Sequence, residues 1–265
     1  RFSRSHDAGP PWLTARPIAH RGLHDAAAVV VENTATAAER AAQAGFAIEC
    51  VVQLSSDGEA VVFHDFTLDR LTEREGRVDA LSAAALASVP FRQTGDRIMP
   101  LSAYLDLIAG RVPLVVEIKS GFDGGLALAR RTAEIVRARA APVALMSFDP
   151  DIVQALHELA PDHPLGVVAE ASYNDAYWQE LPQERRVELE SFQHVGRSRP
   201  HFIAWRVGDF PHATPALARH FGLPVLTWTV RSAGDRQRAA LFADQIIFEG
   251  FHPGEDLHPG EDLHP

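Results

Sequence analysis

Apolar, β-branched runs recur along the chain at residues 17–20, 46–54, 112–119, 143–148, 165–170, 202–207, 224–230 and 245–249. Between most of them lie Ala-, Leu- and Arg-rich stretches of helical composition, at 35–44, 126–140, 150–159, 214–221 and 235–242. Short β-branched runs bounded by turn residues read as strands, and the longer alanine-rich stretches as helices. Their alternation predicts parallel strands, because a parallel pair needs a crossover and a helix is the usual one. Eight such units in 265 residues predict a (β/α)8 TIM barrel, with a doubly wound open sheet as the alternative.

One interval breaks the rhythm. Residues 55–100 are too many for one crossover helix and contain Val61, Val62 and Phe63, a turn-rich stretch, a helical stretch at 80–87 and a further segment at 91–100. They read as a small subdomain inserted after the second strand, on the barrel rim, where long connections are usually functional. The expected organisation is one barrel domain over 17–251, an N-terminal extension at 1–16 and a disordered tail at 252–265. In the tail GEDLHP occurs twice in succession, too short a repeat for a solenoid.

Composition narrows the class. A net charge of −10 argues against a general nucleic-acid binder, which needs a basic face. No stretch approaches a membrane span. The single cysteine, Cys50, permits no intrachain disulfide, and residues 1–17 carry no apolar run of signal-peptide type, so a cytoplasmic protein is expected. No Gly-rich phosphate loop and no zinc-spaced Cys/His group occurs.

A barrel presents its chemistry at the C-terminal ends of its strands. There the chain carries His20 and Arg21, Glu49, Glu117 and Lys119, and Trp228, with His64 and Asp65 in the insertion. Ionisable groups inside apolar strands are costly to bury without partners, so these residues are expected to face one polar cavity.

These residues sit in IAHRG at 18–22, EN at 32–33, IEC and VQLSSDG within 48–58, HD at 64–65, EIK at 117–119 and TWTV at 227–230. In this order they resemble the glycerophosphodiester phosphodiesterase family from about residue 17 to 251. The resemblance implies a TIM barrel with a small insertion that hydrolyses glycerophosphodiesters to glycerol 3-phosphate and an alcohol with a divalent cation, Mg2+ or Ca2+. It implies His20 and His64 as general acid and base, Arg21 and Lys119 as phosphate-binding cations, Glu49 and Glu117 as metal carboxylates, and Trp228 as a wall of the substrate site. The nucleophile, water or the neighbouring glycerol hydroxyl, stays open.

The chain departs from the family at one position. The family pattern on the second strand is Glu-x-Asp; here it is Glu49–Cys50–Val51. Strand alternation puts Glu49 and Val51 on one face and turns Cys50 towards the helices, so the cysteine cannot replace the missing ligand. Weaker metal binding and reduced activity are expected.

Other readings stand beside these. Glu117 and Lys119 also read as a strand-end ion pair, Glu49 as a rim carboxylate, Arg21 as a carbonyl cap and Trp228 as a core filler. His24, His157, His163, His194, His201, His212 and His220 read as structural. Glu170, Phe148 and Trp205, at later strand ends, are secondary candidates for the cleft wall. A protein that binds phosphodiesters or lipid headgroups without turnover is the non-enzymatic alternative. A phospholipase-D-like use on lysolipids would want an apolar rim, for which Phe91, Phe122 and Trp178 are too scattered in sequence to argue.

Overall fold

A computed structural model of the chain describes residues 9–254; residues 1–8 and 255–265, with nearly all of the repeated tail, lie outside the described residues. The elements run β1 (Ile18–Ala19), α1 (Ala35–Gln43), β2 (Ala47–Leu54), β3 (Ala60–Val62), α2 (Ala83–Leu86), β4 (Met99–Pro100), α3 (Leu101–Ile108), β5 (Leu114–Ile118) and α4 (Ala127–Arg137). They continue with β6 (Val143–Ser147), α5 (Pro150–Leu159), β7 (Leu165–Ala169), α6 (Gln183–Glu190), α7 (Val195–Ser198), β8 (Phe202–Arg206), α8 (Ala213–His220), β9 (Val225–Val230), α9 (Ala233–Phe242) and β10 (Gln245–Phe248). Eight strands pair in parallel in the order β1-β2-β5-β6-β7-β8-β9-β10, and β10 returns to β1. Closure excludes the open sheet; the fold is a (β/α)8 barrel.

Each barrel strand has two buried faces. Cys50, Val52, Val116 and Ile118 join the layer between strands and helices, where Ala38, Ala41 and Tyr104 pack. Ala47, Val115, Ala144, Met146, Ala204 and Leu226 fill the interior. Gly166 makes room for the Phe202 ring there, since a Cβ on it would stand 2.3 Å from the ring. A short 3-10 turn, Pro11–Leu13, closes the floor by adding Leu13 to the interior cluster. The floor is thus apolar and filled, and polar side chains concentrate at the opposite mouth. Past β10, His252 packs edge-on against Phe46, which directly precedes β2, 4.8 Å between ring centres.

Residues 55–100 append an antiparallel ladder to β2: Val52–Leu54 pair with β3, and β3 pairs with β4. This segment has its own buried cluster, including Val61, Phe63, Leu68, Val78, Leu86 and Phe91. Three helices, α3, α6 and the four-residue α7, were not among the predicted elements. α3, the crossover from β4 to β5, buries Leu101, Tyr104, Leu105 and Ile108 at i, i+3, i+4 and i+7. α6, between β7 and β8, buries only Leu189 of its eight residues.

Candidate active site

The turn after β1 is built by backbone conformations that few residues adopt. Arg21 has φ 55° and Gly22 φ 83°. A Cβ on Gly22 would lie 2.8 Å from the Ala37 side chain, so only glycine lets α1 pack on the turn. Asn33, at φ 58°, fastens it: its N–H donates to Arg21 O at 2.8 Å, and its Oδ1 accepts the Val51 N–H at 3.2 Å. The Arg21 N–H in turn donates to Glu49 Oε2 at 2.7 Å. Sparsely populated backbone held by this many bonds is characteristic of functional turns.

His20, Arg21, Glu49, His64, Glu117, Lys119 and Trp228, all seven residues predicted for the site, line one cavity of about 490 Å3 at the C-terminal ends of the strands. Both histidines present Nδ1 to a carboxylate. His20 Nδ1 lies 2.5 Å from Glu249 Oε2, and His64 Nδ1 lies 2.7 Å from Asp65 Oδ1. With Nδ1–H donated to the acid, each ring keeps Nε2 for the cavity. Gln53 holds the His64 backbone, donating from Nε2 to its carbonyl at 2.9 Å.

A charged chain joins the two histidine segments. Arg70 Nε donates to Asp65 Oδ2 at 2.6 Å, Arg70 Nη2 to Glu32 Oε1 at 2.7 Å, and Arg21 Nη1 to Glu32 Oε1 at 2.6 Å. Burial opposes charge on Glu32, yet Arg70 and Arg21 bring it down to about 2. Arg21 Nε is buried and finds no protein acceptor. A guanidinium N–H left unmatched beside a cavity is suited to an anionic oxygen.

Burial disfavours imidazolium at both histidines. It depresses His20 to about 4, against the pull of Glu249, and it lowers His64 against the pull of Asp65. Burial opposes charge on Glu249 as well, but the two histidines and Arg231 hold it ionised. The pair is therefore a neutral imidazole on a carboxylate.

Glu49 on β2 and Glu117 on β5 stand on neighbouring strands; the ladder pairs Glu117 with Val51. Burial, then the nearby Glu117 charge, push Glu49 up to about 8. Burial also works against the Glu117 carboxylate, but Lys119 Nζ, 2.8 Å from Oε1, holds it below its ordinary value, and Glu117 in turn raises Lys119. Val51 is 1% exposed and is not among the cavity walls. The donor set at this position is therefore two carboxylates, which suits a hard divalent cation completed by water or phosphate oxygens. Among the described residues a second donor set is His20, His24 and Glu249, whose ligand atoms lie within 4.8 Å of one another.

The other wall is aromatic. Trp228 donates from Nε1 to Ala204 O at 2.9 Å and meets Phe148 edge-to-face at 5.5 Å. Phe148 also packs on Trp178, whose indole N–H donates to Glu170. Phe148 and Glu170 line the cavity as the sequence suggested; Trp205 does not. Alternation on β8 turns Trp205 outwards, fully buried and stacked on His212 at 4.8 Å. His24, read as structural, shares the Glu249 carboxylate with His20 at 3.2 Å. Asp65, expected in the polar cavity, instead stands behind His64, outside the cavity walls, and sequence reading passed over Glu32, Asn33, Arg70 and Glu249 as site residues. Glu32 and Asn33 stood inside motifs already noticed, and Glu249 closed the last apolar run; nothing local marked Arg70.

Residues 20–249 match the glycerophosphoryl diester phosphodiesterase family. A glycerophosphodiester phosphodiesterase of Caldanaerobacter subterraneus subsp. tengcongensis is 41% identical over 112 residues, 39% of this chain, and the chain spans 45% of the length of that curated relative. Among solved structures, a phosphodiesterase of Oleispira antarctica in complex with the product sn-glycerol-3-phosphate superposes with a TM-score of 0.71 at 21% identity, covering 88% of this chain and 91% of that one. The glycerophosphodiester phosphodiesterase of Thermotoga maritima gives 0.66 at 23% identity, over 87% and 92%. These structural likenesses speak for the fold. The family match runs from His20, just past β1, to Glu249, just past β10, and so takes in every strand end around the cavity: the chain belongs to the glycerophosphoryl diester phosphodiesterase family.

Proposed function

We propose that the chain hydrolyses glycerophosphodiesters to glycerol 3-phosphate and an alcohol. The observation that carries the reading is the pair of carboxylate-backed imidazoles, His20 on Glu249 and His64 on Asp65, in one cavity with Arg21 and Lys119. Cutting a P–O bond needs a base for the nucleophile and an acid for the leaving oxygen, and two histidines serve near neutrality. His20, the more strongly depressed, is the base; His64 is the acid. Arg21, through its unmatched Nε, and Lys119 bind the phosphate oxygens.

Glu49 and Glu117 would hold the divalent cation that members of this family generally use. When bound, such an ion offsets charge on the phosphoryl oxygens. Two buried carboxylates on neighbouring strands support that assignment, and Val51 leaves the ion one protein ligand fewer, so its binding is weak. The test is turnover of glycerophosphoethanol, followed by release of glycerol 3-phosphate, with Mg2+, Ca2+ or Mn2+ and with chelator. Release that rises with millimolar cation supports both parts. Binding without release would make the chain a headgroup binder.

A further inference from the structure

A second cavity, of about 300 Å3, opens beside the first and shares Glu117, Lys119, Phe148, Tyr177 and Trp178 with it. Its remaining walls are Phe66 from the insertion, Ile118, Phe122, Ala176 and Leu181, with Ser120, Gly121, Ser147 and the solvent-exposed Glu180. Phe122 and Trp178, distant in sequence, meet edge-to-face at 6.0 Å, and Phe148 packs on the same indole at 5.2 Å. The two serine hydroxyls in this wall are already engaged. Ser120 donates to Asp149 at 2.6 Å, and Ser147 donates to Ile118 O at 2.8 Å.

A phosphodiester has two arms, and Lys119 stands where the two cavities join. The main cavity offers Glu170, Arg206 and Arg231, groups fit to meet glycerol hydroxyls. We propose that the side chamber takes the leaving alcohol, and that this alcohol is apolar, a short alkyl or aryl group. The inference rests on the phosphodiesterase reading above. A hydroxylated arm would strand its polar groups against the apolar walls. A quaternary ammonium would seek ring faces, but the Arg185 guanidinium already lies 5.6 Å from the Phe122 ring centre, and the Lys119 ammonium lies 6.0 Å from that of Phe148.

The experiment compares kcat/KM of the full chain for sn-glycero-3-phosphohexanol, -ethanol, -choline and -glycerol, then repeats the hexyl-to-ethyl ratio in Leu181→Asp and Phe122→Ala. The ratio is independent of the active fraction, so partial misfolding of either variant does not disturb it. The expected result is a hexyl ester preferred over the ethyl ester by about tenfold or more, as burial of several methylenes gives, with that preference reduced at least fivefold in both variants. Preference for the choline or glycerol ester, or a ratio unmoved by both substitutions, overturns the side-chamber assignment while leaving the phosphodiesterase reading intact. No turnover of any of the four esters removes the parent reading and this inference with it.

Discussion

The two halves of the barrel mouth are built on different principles. Around β1, β2 and β5 the walls are ionisable: His20, Arg21, Glu49, His64, Glu117 and Lys119, tied by short charged contacts and by a left-handed turn. Around β6 to β9 the walls are set by an aromatic cluster, Phe148 packed on both Trp178 and Trp228, with Glu170, Arg206 and Arg231 beside it. The first half has groups that move protons and hold phosphate; the second has surface that shapes what enters. Function should therefore fail in kind when the first half is changed, and only in degree when the second is.

The largest effect is expected at the histidines. His20→Ala and His64→Ala should each lower kcat on glycerophosphoethanol by about 10²–10⁴-fold, the usual worth of a general acid or base. Their pH behaviour follows from burial. His20 is held neutral down to about pH 4, so the acid limb of kcat/KM, which reports protonation of the base, falls well below the ordinary histidine value of 6.5. His64 is also lowered, so as general acid it loses its proton below 6.5, and the alkaline limb moves down with it. The bell should lie on the acid side of neutrality. An optimum above pH 7.5 on this ester would break the assignment of roles.

Glu249→Gln should cost less, about 10²-fold, because the glutamine can still receive Nδ1–H but no longer stabilises an imidazolium at His20. The acid limb should shift further down, since the charge that opposes burial is gone. If the limb stays in place while kcat drops, Glu249 holds the fold of the mouth and does not tune His20.

The next change touches the metal carboxylates. Val51→Asp would add a third carboxylate beside Glu117, its ladder partner. In chelator the variant should be about 1–3 kcal/mol less stable, as a buried polar group without a partner costs that much. With Ca2+ or Mg2+ its melting temperature should rise above that of the parent chain, and cation affinity should increase at least about tenfold, since affinity at such sites follows ligand charge. Calorimetric titration reads the affinity; equal affinities in both proteins would remove Glu49 and Glu117 from the cation site.

The same division decides what the sequence discloses. The chemical half is written in contiguous words, because strand ends and the turns that follow them carry both the reactive residue and its backbone support: HRG, EN, IEC, HD and EIK each fold onto the mouth. The aromatic half is assembled from residues that are neighbours only in space. Phe122 and Trp178 give no periodic signal, so their contact was not legible. Among the elements, α3 was not predicted although its apolar stripe, Leu101, Tyr104, Leu105 and Ile108, is there to be read, because it follows the irregular insertion directly. α6 has almost no such stripe, and is docked through Arg185 to Asp149 and Asp151, with Arg197 bridging Glu188 of the helix to Asp151; such ion-pair docking leaves no hydrophobic pattern to read. Arg70 was missed for the same reason: its role lies in partners 5 and 38 positions away.

The smallest effect is expected at the aromatic wall. Trp228→Phe keeps an aromatic face against Phe148 but loses the indole N–H to Ala204 O, which should cost about 1 kcal/mol of stability. KM for glycerophosphoethanol should rise a few-fold, with kcat within about threefold of the parent, because a wall contact present before and during bond cleavage contributes to binding without speeding the chemical step. The split between the two constants is the informative reading. If kcat fell as far as in the histidine variants while KM stayed constant, Trp228 would be contributing to the transition state itself, and the aromatic half of the mouth would belong with the chemistry it is here set against.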